Sequence, residues 1–154
     1  MTPVRFEGLC ASLCELFGIA PPAIAEDASG VSAVTFEVDG VATSVMHIRA
    51  LGDSIVIAAK LGSVGPDEEL HACRAFLEAN FLMAGRAASP SIGRDPATGD
   101  FVVNYARPLD TATAPDLYQA VMRMTELATQ WRAHLVPARP AVDSLAMLAT
   151  AHRA

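Results

Sequence analysis

Three cysteines and four histidines are the side chains of this 154-residue chain best suited to ligate a metal or act in nucleophilic catalysis. Cys10 and Cys14 stand four apart, a spacing that lets two thiols on one side of a helix share a tetrahedral ion. No histidine or further cysteine accompanies the pair, and Cys10 falls within an apolar stripe, so both are read as core packing. His71 and Cys73 are two apart and point to different sides of their helix. His47, His134 and His152 belong to separate segments, with no carboxylate at a diagnostic spacing. Asp95 to Asp100 has neither the alternating ligands nor the distal glutamate of a calcium loop, and reads as a hairpin turn. A cysteine nucleophile using His47 or His71 as base would need a neighbour that activates the thiol, and the sequence supplies none. The nucleophile elbow, the zinc-protease pair of histidines, the phosphate-binding loop and the dinucleotide fingerprint are all missing. The residues therefore describe a chain without a catalytic set, a metal or a cofactor.

The elements that carry these residues follow from periodicity. Thr2 to Phe17 reads as a helix, with Thr2 as cap, Pro3 in the first turn and Gly18 as the stop. Phe6, Leu9, Cys10, Leu13, Leu16 and Phe17 form its single apolar face. Val31 to Asp39 alternates, with Val34, Phe36 and Val38 on one side and Ala33, Thr35 and Glu37 on the other. Asp39-Gly40 marks a two-residue hairpin. Strands Val41 to Ala50 and Ser54 to Leu61 complete an antiparallel meander. In these two strands Val41, Val45, Met46, Ile48, Val56, Ile57 and Ala58 place apolar groups on both faces. One face must lie under helices; the other is covered by loops or the C-terminal tail, or forms a groove for a partner.

Pro66 to Glu69 opens a second helix that is apolar on two sides. Leu70, Cys73, Leu77 and Phe81 share one stripe, while Ala72, Ala75, Phe76, Ala79 and Met83 lie almost opposite. A helix apolar nearly all round is buried twice. After it come a short strand near Ser91, the turn from Asp95 to Asp100, and a strand from Phe101 to Tyr105 that Pro108 stops. A third helix runs from about Thr113 to Leu135, with Leu117, Val121, Met124, Ala128, Trp131 and Leu135 in its stripe. The predicted order is α-β-β-β-α-β-β-α, an α+β fold with a twisted antiparallel sheet flanked by helices. Residues 1–136 form one domain. Residues 137–154, broken by Pro137 and Pro140, are expected to be a mobile or partner-dependent tail.

Composition narrows the partners. Hydrophobic residues are 52% and charged ones 18%, which rules out disorder of the whole chain and suggests a covered interface. A net charge of −6 opposes nucleic acid and anionic membranes. No apolar run reaches the roughly 18 residues of a membrane span. No secretory signal is visible at the N-terminus, and three cysteines give no paired framework, so free thiols in the cytoplasm are expected.

Phe-Leu-Glu-Ala-Asn at Phe76 to Asn80, Asp-Pro-Ala-Thr-Gly at Asp95 to Gly99 before a strand, and Arg107-Pro108-Leu109 stand in that order. With the Asp39-Gly40 hairpin, Leu61-Gly62 and Trp131, they resemble the type III secretion chaperones of the Tir-chaperone (CesT-like) family over roughly residues 4 to 135. Each motif is a turn or a packing pattern; the ordered set carries the resemblance. It implies a cytoplasmic bacterial homodimer that binds the N-terminal segment of a secreted effector in extended, non-globular form and keeps it competent for export. On this sequence the candidate effector contacts are Val4, Val34, Phe36, Met46 and Ile48, taken as exposed apolar groups although each suits a core equally. The candidate dimer contact is the second face of the central helix, Ala72, Phe76, Ala79 and Met83, unless that face packs on the chain's own third helix or later strands. The rival readings are an adaptor of the same fold outside secretion, and a small ligand-binding domain or enzyme.

Overall fold

The computed structural model describes residues 3–84 and 89–135. The tail expected at 137–154, His152 and the cap expected at Thr2 lie outside these residues. Helix α1 (Val4–Leu16) starts at Pro3, whose φ of −63° suits a helix start and whose carbonyl accepts from the N–H groups of Phe6 and Glu7 at 2.9 and 3.1 Å. It stops where Gly18 takes a φ of +68° and the Ile19 N–H turns back to the Cys14 carbonyl at 3.0 Å.

Strands β1 (Val31–Val38) and β2 (Val41–Ile48) are joined by Asp39 and Gly40 at φ +52° and +72°. Positive φ at both central residues is what a right-twisted two-residue hairpin requires, and aspartate and glycine tolerate it. A single helical turn (Arg49–Leu51) leads into β3 (Ser54–Gly62). Helix α2 (Pro66–Met83), strands β4 (Ser91–Arg94) and β5 (Phe101–Pro108), and helix α3 (Ala114–Leu135) follow. All pairings are antiparallel and the sheet order is β1-β2-β3-β5-β4. The α+β order expected from the sequence is the order found.

Register decides which side chains meet. Val34 faces Val45, which faces Ile57, and Phe36 faces Thr43, which faces Ala59. These inward groups are buried, together with Ile55, Phe101 and Val103. α3 lies across β2, β3 and β5, and α1 packs on α3. Phe17 of the α1 exit stacks on Phe36 at 4.6 Å and meets Tyr118 at 4.8 Å. Thr43 and Thr125, both buried, satisfy each other across the sheet–helix interface at 3.0 Å. Arg132 ties the end of α3 to the carbonyls of Gly40, Lys60 and Leu61. The uneven apolar pattern expected of β2 resolves into strict alternation: Val41, Thr43, Val45 and His47 point in, while Ala42, Ser44, Met46 and Ile48 point out.

Candidate partner-binding surfaces

The described helices lie on one face of the sheet, leaving the other without a described cover. Cross-strand pairs bring Val31 beside Ile48, Ala33 beside Met46, and Met46 beside Val56 on that outer face. Met46 and Ile48 are half-buried by their strand neighbours alone. The result is a shallow apolar patch running from β1 to β3.

The patch borders a strand edge. β1 is the outer strand at one side of the sheet. At its start the loop closes the edge: the Val31 N–H donates to Asp27 Oδ1 at 3.0 Å and the Asp27 N–H to the Val31 carbonyl at 2.9 Å. The Ser29 hydroxyl, then the Val31 N–H, hold the Asp27 carboxyl below its ordinary pKa. Because backbone direction alternates with period two, the N–H and C=O of Ala33, Thr35 and Glu37 point outward as those of Val31 do. The Thr35 and Ser44 hydroxyls bond at 2.8 Å, in keeping with a pair whose backbone groups face away from each other. No described strand takes up these groups.

At the other edge, β4 is capped at Ile92. The Asn80 carboxamide donates to the Ile92 carbonyl at 2.9 Å and accepts from the Ile92 N–H at 2.7 Å. A side-chain amide here stands in for the backbone of a neighbouring strand.

The structure corrects two placements made from sequence. Val34 and Phe36 are core residues, because the inward face of β1 is the one that α1 and α3 cover. They are not available to a partner. Val4 is exposed on α1, and Met46 and Ile48 lie on the outer face. In α2 the two apolar faces exchange roles. Ala72, Phe76 and Ala79 are buried and Met83 is half-buried, with the Phe76 ring 4.7 Å from Phe101 and 5.8 Å from Trp131. The face proposed for a second copy is therefore packed within the chain. Leu70, Leu77, Phe81 and Leu82 stand in solvent instead, Leu77 at 68% and Phe81 at 78% exposure. Four large apolar side chains on one helix are more than scattered surface residues, and such a patch marks an interface.

The thiols fit no site. Burial pushes Cys10 up to about 12, with the Cys14 charge adding to it, and burial raises Cys14 as well. Both stay neutral near pH 7, so neither is a nucleophile. At pH 8 a disulfide-exchange reagent is expected to label Cys73 alone in the folded protein and all three cysteines after unfolding. A second fast-reacting thiol in the folded protein would contradict the packing. Among the described residues no group of three or more His, Cys, Asp or Glu is placed to hold a metal ion, and no helix is long and apolar enough to cross a membrane.

A free strand edge beside an apolar patch is the geometry by which a sheet takes up an extended polypeptide, which places the fold among binding scaffolds. The family model of the Tir chaperone protein (CesT) family matches residues 9–132, and the chain belongs to that family. No curated protein sequence matches it. Among solved structures, it is similar to a chain of the HopA1–SchA chaperone–effector complex, with a TM-score of 0.59 and 17% identity over 84% of this chain and 94% of that one. A chain of the ExoT–SpcS complex from Pseudomonas aeruginosa gives 0.59 and 15%, covering 84% and 98%. A chain of the complex between the Yersinia pestis type III secretion chaperone SycH and a stable fragment of YscM2 gives 0.55 and 14%, covering 81% and 98%. At these identities the structures establish a shared fold.

Proposed function

We propose that this chain is a cytoplasmic type III secretion chaperone, a homodimer that holds the N-terminal segment of a secreted effector extended along its surface and has no catalytic role. The observation that carries the reading is the open β1 edge beside the Met46–Ile48 patch in a chain of the CesT family. The edge supplies main-chain hydrogen bonds and the patch takes alternate side chains of the guest strand. Val4, exposed at the start of α1, is a further contact of the guest. The two protomers meet through Leu70, Leu77 and Phe81 of α2.

The test is light scattering of the purified protein, alone and co-expressed with a candidate effector encoded beside it. The expected mass alone is near twice 16.2 kDa, rising by one effector chain on co-expression. A monomer that captures nothing would sink the reading. The edge is tested by Thr35→Pro. Proline removes an outward N–H and is tolerated on an edge strand, so the β1–β2 ladder is expected to survive while effector affinity falls about tenfold or more, a loss of at least roughly 1.4 kcal/mol. Met46→Asp is expected to do the same from the patch. Wild-type affinity in both variants would place the guest elsewhere.

A further inference from the structure

Between the end of β5 and α3 lies a pocket of about 280 Å³ that opens to solvent. Arg107 sits opposite Ile55 in the inward register of the sheet, which brings its guanidinium to α3. Asp116, Gln119 and Arg123 reach the same cavity from successive turns of that helix, and Tyr105 from the strand. Two guanidiniums thus converge on one cavity in a chain whose net charge is −6.

Their hydrogen-bonding capacity is largely unspent. The Arg107 side chain is only 19% exposed, and its nearest carboxylate contact, Nη2 to Asp116 Oδ2, is 3.5 Å long. A charge-assisted bond of this kind is ordinarily about 2.7–2.9 Å. Asp116 is committed elsewhere, accepting from the Thr113 hydroxyl at 2.7 Å. Arg107 Nε is buried with no partner. Tyr105 is half-buried, Gln119 and Arg123 are exposed at the mouth, and none of the three makes a hydrogen bond or ion pair with the described residues. Buried polar groups in folded proteins are nearly always satisfied, so an orphaned guanidinium nitrogen at a cavity calls for an acceptor. The acceptor that matches a guanidinium fork is a planar oxyanion, and a carboxylate fits it with two parallel bonds. Met124 and Leu127 line the same space and suit a short methylene stem. The volume falls just below the roughly 300–1,000 Å³ of sites for larger ligands, which selects a single side chain or a small diacid.

We infer that this cavity is a carboxylate-binding site formed by Arg107 and Arg123, with Tyr105 and Gln119 as further donors. The carboxylate has two possible sources. One is a free small diacid. The other is a glutamate or aspartate of the bound polypeptide, and this source alone rests on the function proposed above.

The experiment follows the arginine Nε–H signals of the full chain by NMR while adding one of three probes. These are glutarate, a seven-residue serine–alanine peptide with a central glutamate, and its glutamine twin. A saturable shift of the Arg107 Nε–H with a carboxylate probe is expected. Affinity should fall about tenfold or more in Arg123→Gln and also in Arg107→Lys, which keeps the charge but loses the fork. Both variants should retain the wild-type circular dichroism. Glutarate binding with a silent glutamate peptide would identify the source as a free acid. A glutamate peptide that binds more tightly than glutarate, with its twin silent, would identify it as a side chain. The inference is overturned if neither carboxylate shifts the signal, if the two peptides bind equally, or if both folded variants bind like wild type. The glutarate arm needs no effector, so a negative result there is separate from any failure to capture one.

Discussion

If the proposed dimer meets through the solvent side of α2, Leu77→Asp combined with Phe81→Asp is expected to leave a folded monomer of 16.2 kDa. Both side chains project from the solvent side of α2, and neither touches the core. Burying a leucine or phenylalanine side chain contributes about 1.5–3 kcal/mol. A two-fold interface uses each residue twice. In the proposed dimer the pair would carry on the order of 6–12 kcal/mol of the association, more than four powers of ten in dimer affinity at about 1.4 kcal/mol per tenfold change. The aspartates add repulsion, since the symmetry of the contact brings like charges together. Sedimentation or light scattering across a dilution series measures the shift, and unchanged circular dichroism shows that the monomer is folded. A double variant that still dimerises at micromolar concentration would move the contact off this stripe.

Phe76→Ala is expected to have the opposite signature, with a large loss of stability and no effect on the proposed dimer at low temperature. The ring is 3% exposed and wedged between Phe101 and Trp131. Truncating a buried phenylalanine costs about 3–5 kcal/mol through lost transfer energy and the cavity left behind. For a chain of this length that is a fall in Tm of roughly 6–20 °C. Trp131 is the single tryptophan, so its fluorescence reports the loosening of α2 directly and should move to longer wavelength. An unchanged Tm would mean that α2 docks through its other face. Together the two variants assign each face of the helix independently.

That assignment marks the limit of what the sequence made legible. A repeat of 3.6 residues showed that α2 has two apolar faces, but periodicity carries no sign and cannot say which face turns inward. The deciding features are size and a polar anchor. Ala72 and Ala79 are small enough to let the helix come close to the sheet, and Phe76 fills the space between them. Asn80, beside that face, bonds the backbone of Ile92. An asparagine flanking the face of smaller residues was available in the sequence as a signal. The stripe of Leu70, Cys73, Leu77 and Phe81 was left to the core, and the opposite face was offered to a second copy. The meander was read more fully. Asp39-Gly40 marked the hairpin and alternation separated the two sides of β1, but Val34 and Phe36 were offered to a partner although theirs is the buried side. The outward Met46 and Ile48 were separable from Val45 only once the register with β1 and β3 was known. The cavity at Arg107 had no sequence signature, because Arg107 and Arg123 come together only through the packing of α3 on β5.

The clip that Asn80 places on Ile92 has a further consequence. Viewed as a growing polymer, this sheet has one end capped at Ile92 and one end open along β1. A sheet with two live ends can propagate from molecule to molecule without limit, as filaments do. With the Ile92 groups of β4 taken by a side chain, a strand edge of another molecule finds fewer free partners there than at β1. If β1 takes up a guest strand as proposed, the capped backbone at Ile92 disfavours further addition from molecule to molecule.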